Sequence, residues 1–346
     1  MFIVNNYPLA IIFCFITMLC WGSWGNTQKL AGKTWRYELF YWDYVIGILL
    51  FSLISAFTLG SIGSEGRSFL ADLQQAEWGN IGSAFLGGVI FNAANILLSA
   101  AIAIAGLSVA FPVGIGLALV LGVIINYIGQ ATGNPLLLFG GVALVTVAIV
   151  LNALAYNKQA KQAKKLSSKG IILSLLAGVL MSFFYRFIAS SMDLENFVSP
   201  AVGKMTPYTA MFIFACGVFV SNFIFNTIVM KKPFEGAPVS YKEYFKGGFN
   251  IHLVGILGGL IWGLGNAFSL IAAGKAGAAI SYGLGQGATL VSAFWGVVIW
   301  KEFKTAPKGT NNYLYAMFVL FLAGIGLIIA AGVASSCQQD APYHNI

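Results

Sequence analysis

Few side chains in this sequence could do chemistry, and nearly all of them sit inside runs of apolar residues. Asp43 (in FYWDYVIG) is the one acid well within such a run, and Arg186 (in MSFFYRFIAS) is the one basic residue. Asn92, Asn95 and Asn266 punctuate two further runs, and Ser281, Tyr282 and Gln286 stand in another, matched by Phe111, Pro112 and Gly114. Trp21, Trp24 and Asn26 close the first run as CWGSWGN. Amides, hydroxyls and aromatic faces hold small neutral polar molecules, and a carboxylate partly removed from water can exchange a proton with its surroundings. Nothing here has the form of a catalytic site. His252 and His344 are the only histidines, and neither has an acid or cysteine at a catalytic spacing. Cys14, Cys20, Cys216 and Cys337 follow no zinc or redox pattern, and the first three read as packing residues. GLGQG (283–287) has no strand before it, so it reads as close helix contact or local unwinding rather than a nucleotide loop. No enzymatic activity, cofactor or metal is expected.

The composition says where these residues must be held. Of 346 residues 58% are hydrophobic and only 9% charged, whereas a soluble domain carries about 25% charged residues to face water. Soluble enzymes, nucleic-acid-binding domains and disordered chains are excluded, and the net charge of +8 belongs to loops beside a bilayer. A hydrocarbon core about 30 Å thick needs about 20 apolar residues per helix. Charged or turn-rich breaks leave ten such stretches, at 8–27, 39–60, 79–104, 107–129, 136–156, 170–190, 207–230, 251–274, 278–300 and 312–334. Met1–Leu9 holds no Lys or Arg, so the first stretch lacks the basic start of a signal peptide. With the N-terminus outside, inside loops hold fifteen Lys and Arg and outside loops three, so both termini are expected outside. The basic stretch NKQAKQAKKLSSK (157–169) reads as a cytoplasmic linker, with lipid binding as the other reading.

The linker divides two copies of one unit. Shifted by 171 residues, 85–126 aligns with 256–297 without a gap, and twelve of 42 positions are identical, Asn95/Asn266 and Gly106/Gly277 among them. The expected organisation is therefore a five-helix repeat (1–156), the linker (157–169), a second five-helix repeat (170–334) and a short external tail (335–346). An odd number of spans per copy inserts the second copy inverted. Inverted repeats are how secondary carriers alternate access to a site near the midplane. The fold class is thus an all-α membrane protein of ten helices in two inverted repeats.

Each polar residue in a span then has two readings. Trp21, Trp24 and Asn26 form either an interfacial aromatic belt or the rim of a solute pathway. Asp43 lies about five residues, roughly 7 Å, from the inner start of its span; it either snorkels to water or couples transport to protons. By depth it is level with Trp24 and Asn26 and could face the same vestibule. Arg186 near the outer end is either a gate with Asp193 or Glu195 or a snorkelling side chain. Asn92, Asn95 and Asn266 fall near mid-bilayer, and the repeat-related pair Asn95 and Asn266 should approach the pseudo-two-fold axis as solute ligands. Phe111, Ser281, Tyr282 and Gln286 are expected to complete the pocket.

At the level of these motifs the chain resembles the drug/metabolite transporter superfamily, and within it the ureide permease branch, near the bacterial glucose/ribose porters and the rhamnose–proton symporter. The residues carrying this are LCWGSWGN, FYWDY, AIAIAGLSVAFPVGIGLALVLGVIINY, PYTAMFIFACGVFVSNFIFN and GGLIWGLGNAFSLIAAGKAGAAISYGLGQGATLVSAFWGVVIWKEF. WGSWGN departs from the plant pattern, which has Pro after the second Trp. The resemblance implies a permease in a plasma membrane or bacterial inner membrane that takes up ureides, nucleobase derivatives or sugars, often with protons. The expected partners are that solute, protons and the bilayer, with a homodimer compatible and nucleic acid excluded. The alternatives are an exporter of the same superfamily, or a channel. The topology is directly testable: labels at both termini of the protein in intact cells are expected to react with an impermeant reagent, and one within 157–169 only after permeabilisation.

Overall fold

The computed structural model describes residues 1–163 and 167–339. Lys164 and Lys165 of the linker and His344 of the tail lie outside the described residues, as do the side chains of Lys161 and Cys337. The described chain is helical, and no strand pairing beyond one isolated Met192–Met205 bridge occurs in it. The first span is α1 (Tyr7–Ser23) continued by α2 (Gly25–Ala31), with Trp24 at the joint. Then follow α3 (Tyr37–Phe57), the short α4 (Phe69–Gln75), α5 (Trp78–Ala105), α6 (Leu107–Gly129), α7 (Pro135–Ala163), α8 (Ser168–Ser191), α9 (Pro207–Lys231) and the one-turn α10 (Tyr241–Tyr244). After α11 (Phe249–Ala276) the ninth span is built of α12 (Ala278–Gln286), α13 (Ala288–Phe294) and a π-helical turn (Trp295–Ile299), and α14 (Thr310–Gln339) is the tenth. Ten segments are long and apolar enough to cross a membrane, and each overlaps its expected stretch to within a few residues. The short α4 and α10 and the π turn were not foreseen.

Local chemistry sets the ends. Asn6 accepts the Leu9 N–H to start α1, with Pro8 in its first turn, and Pro207 opens α9. The third and fourth spans are separated by Gly106 alone and the eighth and ninth by Gly277, at φ +87° and +79° with ψ 156° and 155°. That left-handed region is open to glycine and strained for other residues, so one glycine re-aims the chain where a loop would otherwise be needed.

Tyr7 donates to Ile329 O of α14, so the start of the first span and the end of the last share one face, the terminal face. The opposite, linker face carries the end of α7 and the start of α8. Gly106 borders a cavity on the linker face together with Lys29 and Glu302, whereas Gly277 borders one on the terminal face together with Asn5.

α5 packs on α8 and α9, α11 packs on α1 and α3, and α7 packs on α14. In lipid there is little hydrophobic force between helices, so close packing of small residues carries the association. A Cβ on Gly259 would overlap Tyr44 O and one on Gly47 would overlap Ile256 O, so α3 and α11 touch backbone to backbone. The α5–α9 crossing has the same construction, with Gly88 against Phe214 O and Gly217 against Phe85 O. Gly326 of α14, by contrast, has nothing within 4 Å of where a Cβ would stand. Gly259→Ala is therefore expected to destabilise the purified protein by about 1–3 kcal/mol, read as a lower thermal midpoint. Gly326→Ala should leave the midpoint unchanged or slightly higher.

Candidate functional site

Among buried side chains of both halves lies a small cavity of about 20 Å³, room for about one water. α1 and the Trp24 joint supply Trp21 and Trp24, α5 supplies Asn95 and Leu98, α6 supplies Phe111 and Ile115, and α8 supplies Met181 and Phe184. Trp262 of α11, Gln286 of α12 and Ala288 of α13 complete the wall. Both halves contribute, and Ile115 and Gln286, 171 positions apart, meet there. Five of the eleven lining residues are aromatic. Trp21 and Trp262 stack at 5.8 Å with an 11° tilt, Phe91 lies 4.2 Å from Trp262, and Phe184 meets Trp21 edge-on at 6.4 Å. Trp24 lies 6.2 Å from Phe111. The polar groups are few: the amides of Asn95 and Gln286, and the buried Nε1 of Trp21, which has no protein partner. Among the described residues, no charged side chain lines the cavity. The helix breaks at Gly287 beside Gln286, and a Cβ on Gly285 would press on the Trp21 ring, so GLGQG provides both local unwinding and close contact.

Of the residues singled out in the sequence, Trp21, Trp24, Asn95, Phe111 and Gln286 come together in this wall. The others are engaged elsewhere. Asn92 accepts from Tyr41 (3.0 Å) and donates to Ser221 (2.9 Å), tying α3, α5 and α9. Asn266 donates to the Met211 sulfur at 2.9 Å, and Trp262, one turn earlier on α11, occupies the wall instead. Ser281 donates to Ser269 O (2.7 Å) within a cluster that includes Tyr185 and Cys14. The Tyr282 hydroxyl passes over Gly122 to the buried carbonyls of Ala118 and Met181 (3.2 and 3.1 Å), whereas its repeat mate Phe111, lacking a hydroxyl to satisfy, stays at the cavity. Gly114 serves the approach of α8, since a Cβ there would meet Ser174 O at 2.9 Å. Trp262, Phe184 and Met181 were missed. The one signal for Trp262 was its place opposite Phe91 in the repeat.

Asn26 lies nearer the linker face, where it accepts from the Trp300 indole at 2.7 Å. Lys29 stands over the Trp300 ring and pairs with Glu302, which also accepts from Tyr156 (2.7 Å). This latch joins α2 and α7 to the segment after the π turn, where Lys301 has φ +52°, a strained value for a non-glycine residue. It borders an open cavity of about 690 Å³. On the terminal face a wider cavity of about 1130 Å³ is bordered by Gly129–Gly133, Glu195 and Lys275. Arg186 lies across Gly129 there and pairs with neither Asp193 nor Glu195 among the described residues; Asp193 accepts backbone N–H groups of Glu195 and Ala201 instead.

Asp43 does not face the cavity that holds Trp24. It turns to the first turn of α11, where His252 Nδ1 lies 2.8 Å from its Oδ1, and to Tyr244, whose hydroxyl donates to the same oxygen at 2.6 Å. His252 thus has an acid partner, 209 positions away and invisible to any local spacing.

The ureide permease family model matches residues 40–169 and 164–331. The chain belongs to the ureide permease family. It is 26% identical to Ureide permease 2 of Arabidopsis thaliana, over 96% of this chain and 99% of that protein. It is 24% identical to Ureide permease 1 of the same plant, with the same coverage of both chains. It is also 26% identical to the glucose uptake protein GlcU of Bacillus subtilis (strain 168), over 94% of this chain and 97% of that one. A solved crystal structure shares the fold at a TM-score of 0.57 and 14% identity, covering 97% of this chain and all of the other. The protein is accordingly a multi-pass membrane transport protein and not an enzyme. If the central cavity is its solute site, Asn95→Ala and Gln286→Ala should each weaken solute affinity by about 1–3 kcal/mol, the cost of removing a buried hydrogen-bonding partner. Ser281→Ala, outside the wall, should change thermal stability more than affinity.

Proposed function

We propose that this permease is a secondary carrier for a small, neutral, polar solute of the ureide class, driven by protons. The observation that carries the reading is the central wall: stacked indoles and phenyl rings, two amides, one unpartnered indole N–H, and no charge. Such a lining suits a compact solute with amide-like donors and acceptors and penalises an ionic one, whose charge would be buried unpaired. The names of the plant relatives point to ureides, and that of the Bacillus protein to a sugar as the second candidate.

The transport cycle follows from the two halves being inverted copies. Supporting this are the matched glycine–carbonyl crossings, the matched hinges Gly106 and Gly277 on opposite faces, and the joint contribution of Ile115 and Gln286 to one cavity. The small cavity is lined by buried residues, and a larger cavity opens on each face. Rocking of the halves would open one side as the other shuts, with the Lys29–Glu302 latch on the linker face and Arg186 over Gly129 on the terminal face as gates. The charge asymmetry of the loops supports a cytoplasmic linker face and both termini outside.

Asp43 is the coupling carboxylate in this reading. Importing a neutral solute with one proton at −100 mV gains about 2.3 kcal/mol, nearly fifty-fold accumulation before any pH gradient. Asp43→Asn is expected to keep solute binding and exchange but to lose proton-driven accumulation in proteoliposomes; accumulation unchanged from wild type would remove the coupling role. The solute itself is found by a thermal-shift screen of purified protein against allantoin, nucleobases, sugars and lipophilic cations. A true ligand at 100 times its Kd should stabilise by about 2.7 kcal/mol, and a response to lipophilic cations alone would favour an exporter.

A further inference from the structure

Asp43 is 1% exposed, and its two oxygens are used unequally. Oδ1 accepts from both Tyr244 and His252, the Trp35 indole also lies against the carboxylate, and Oδ2 is buried without a hydrogen bond of ordinary geometry among the described residues. The donors come from different elements: Tyr244 from the α9–α11 connection and His252 from the first turn of α11. The His252 ring is boxed edge-on by Trp35 (5.3 Å) and Tyr244 (4.8 Å), and Gly255 lies directly on the Asp43 side chain. The connection is fastened at other points as well. Arg36, paired with Glu38, donates to the carbonyls of Glu235 and Ala237, and Lys169 donates to Phe234 O. Tyr244 and His252 are the titratable groups that reach Asp43. Lys242 and Lys246 of the connection are exposed and form no ion pair with it among the described residues, and Glu243 is bound to Ser240.

We infer that Asp43, His252 and Tyr244 form a proton-operated clasp outside the solute cavity, so that a proton acts on the solute through α11 rather than by contact. The inference rests on the proton-coupled reading above and adds its route. With Asp43 ionised, two donors converge on Oδ1 and hold α11 and the connection against α3. A proton arriving on the buried Oδ2 neutralises the carboxylate, and both charge-assisted hydrogen bonds lose about half their strength. The released helix carries Trp262 into the cavity wall ten residues on, about 15 Å along its axis. His252 and Tyr244 are positioning residues here, since neither lines the cavity.

The test is hydrogen exchange on the full-length protein in nanodiscs without solute, followed for peptides covering 240–254 at pH 5.5 and 8 after correction for intrinsic rates. Wild type is expected to exchange about fivefold faster at the acid pH, the factor that loss of one net hydrogen bond supplies. Asp43→Asn, whose amide imitates the neutral carboxyl, should exchange fast at both. An absent pH response in wild type, or one persisting in Asp43→Asn, overturns the clasp. Should Asp43→Asn fail to fold, Tyr244→Phe removes one donor and must bring the rate at pH 8 at least about twofold towards the acid rate; an unchanged rate overturns the proposal equally. Because no solute is present, a negative result leaves the cavity assignment standing, and a failed solute screen leaves the clasp standing.

Discussion

Glycines set several helix pairs of this protein backbone to backbone, α3–α11 and α5–α9 most closely, and the rest of the arrangement depends on those contacts. At the α3–α11 and α5–α9 crossings, glycines lie against carbonyl oxygens with no room for a methyl group. Lipid offers α helices little reason to associate, so closeness has to come from shape, and glycine is what permits it. Drawn in this way, α5 and α11 bring Asn95 and Trp262 to opposite sides of one small space, and α1, α6, α8 and α12 close around it. The same crossing presses the first turn of α11 onto α3, which is why an acid and a histidine 209 residues apart share a hydrogen bond.

The central wall and the Asp43 cluster are therefore separate places joined by one helix, α11. One is rich in aromatic rings and uncharged; the other is a carboxylate with two donors on one oxygen and the second oxygen buried. A carrier that keeps solute and proton apart has to couple them through the movement of a rigid element, and α11, reaching from His252 to Trp262 without a break, is such an element. In the proposed cycle the two conformations would differ at the Lys301 turn and the Lys29–Glu302–Tyr156 latch on one face, and at Arg186 over Gly129 on the other.

The sequence revealed the ten spans almost completely and about half of the candidate cavity wall. Ten apolar runs became ten spans because hydrocarbon admits only self-satisfied helices of that length, and Gly106 and Gly277 were visible as mates in the repeat before their matching left-handed conformations were known. Trp21, Trp24, Asn95, Phe111 and Gln286 were legible because a polar or aromatic residue amid small apolar ones is conspicuous. Asn266 and Tyr282 share that conspicuousness but were drawn to Met211 and to buried carbonyls, since a polar atom in a dry core goes to whatever partner is nearest. Trp262, Met181 and Phe184 look like ordinary span residues, and His252 has no partner until the chain folds. Pairings across hundreds of residues are set by helix crossings, which a single sequence does not state.

In the proposed cycle the two faces open in opposition about the central cavity. Spin-label pairs measure this directly: one pair across the linker face, at Lys33 and Lys304, and one across the terminal face, at Val198 and Ala131, each in an otherwise cysteine-free protein in nanodiscs. As pH or bound solute shifts the population, the linker-face distance should lengthen while the terminal-face distance shortens, in the same proportion of molecules. Distances that widen together, or that stay fixed under conditions where transport is measured, would contradict alternating access by two opposed halves.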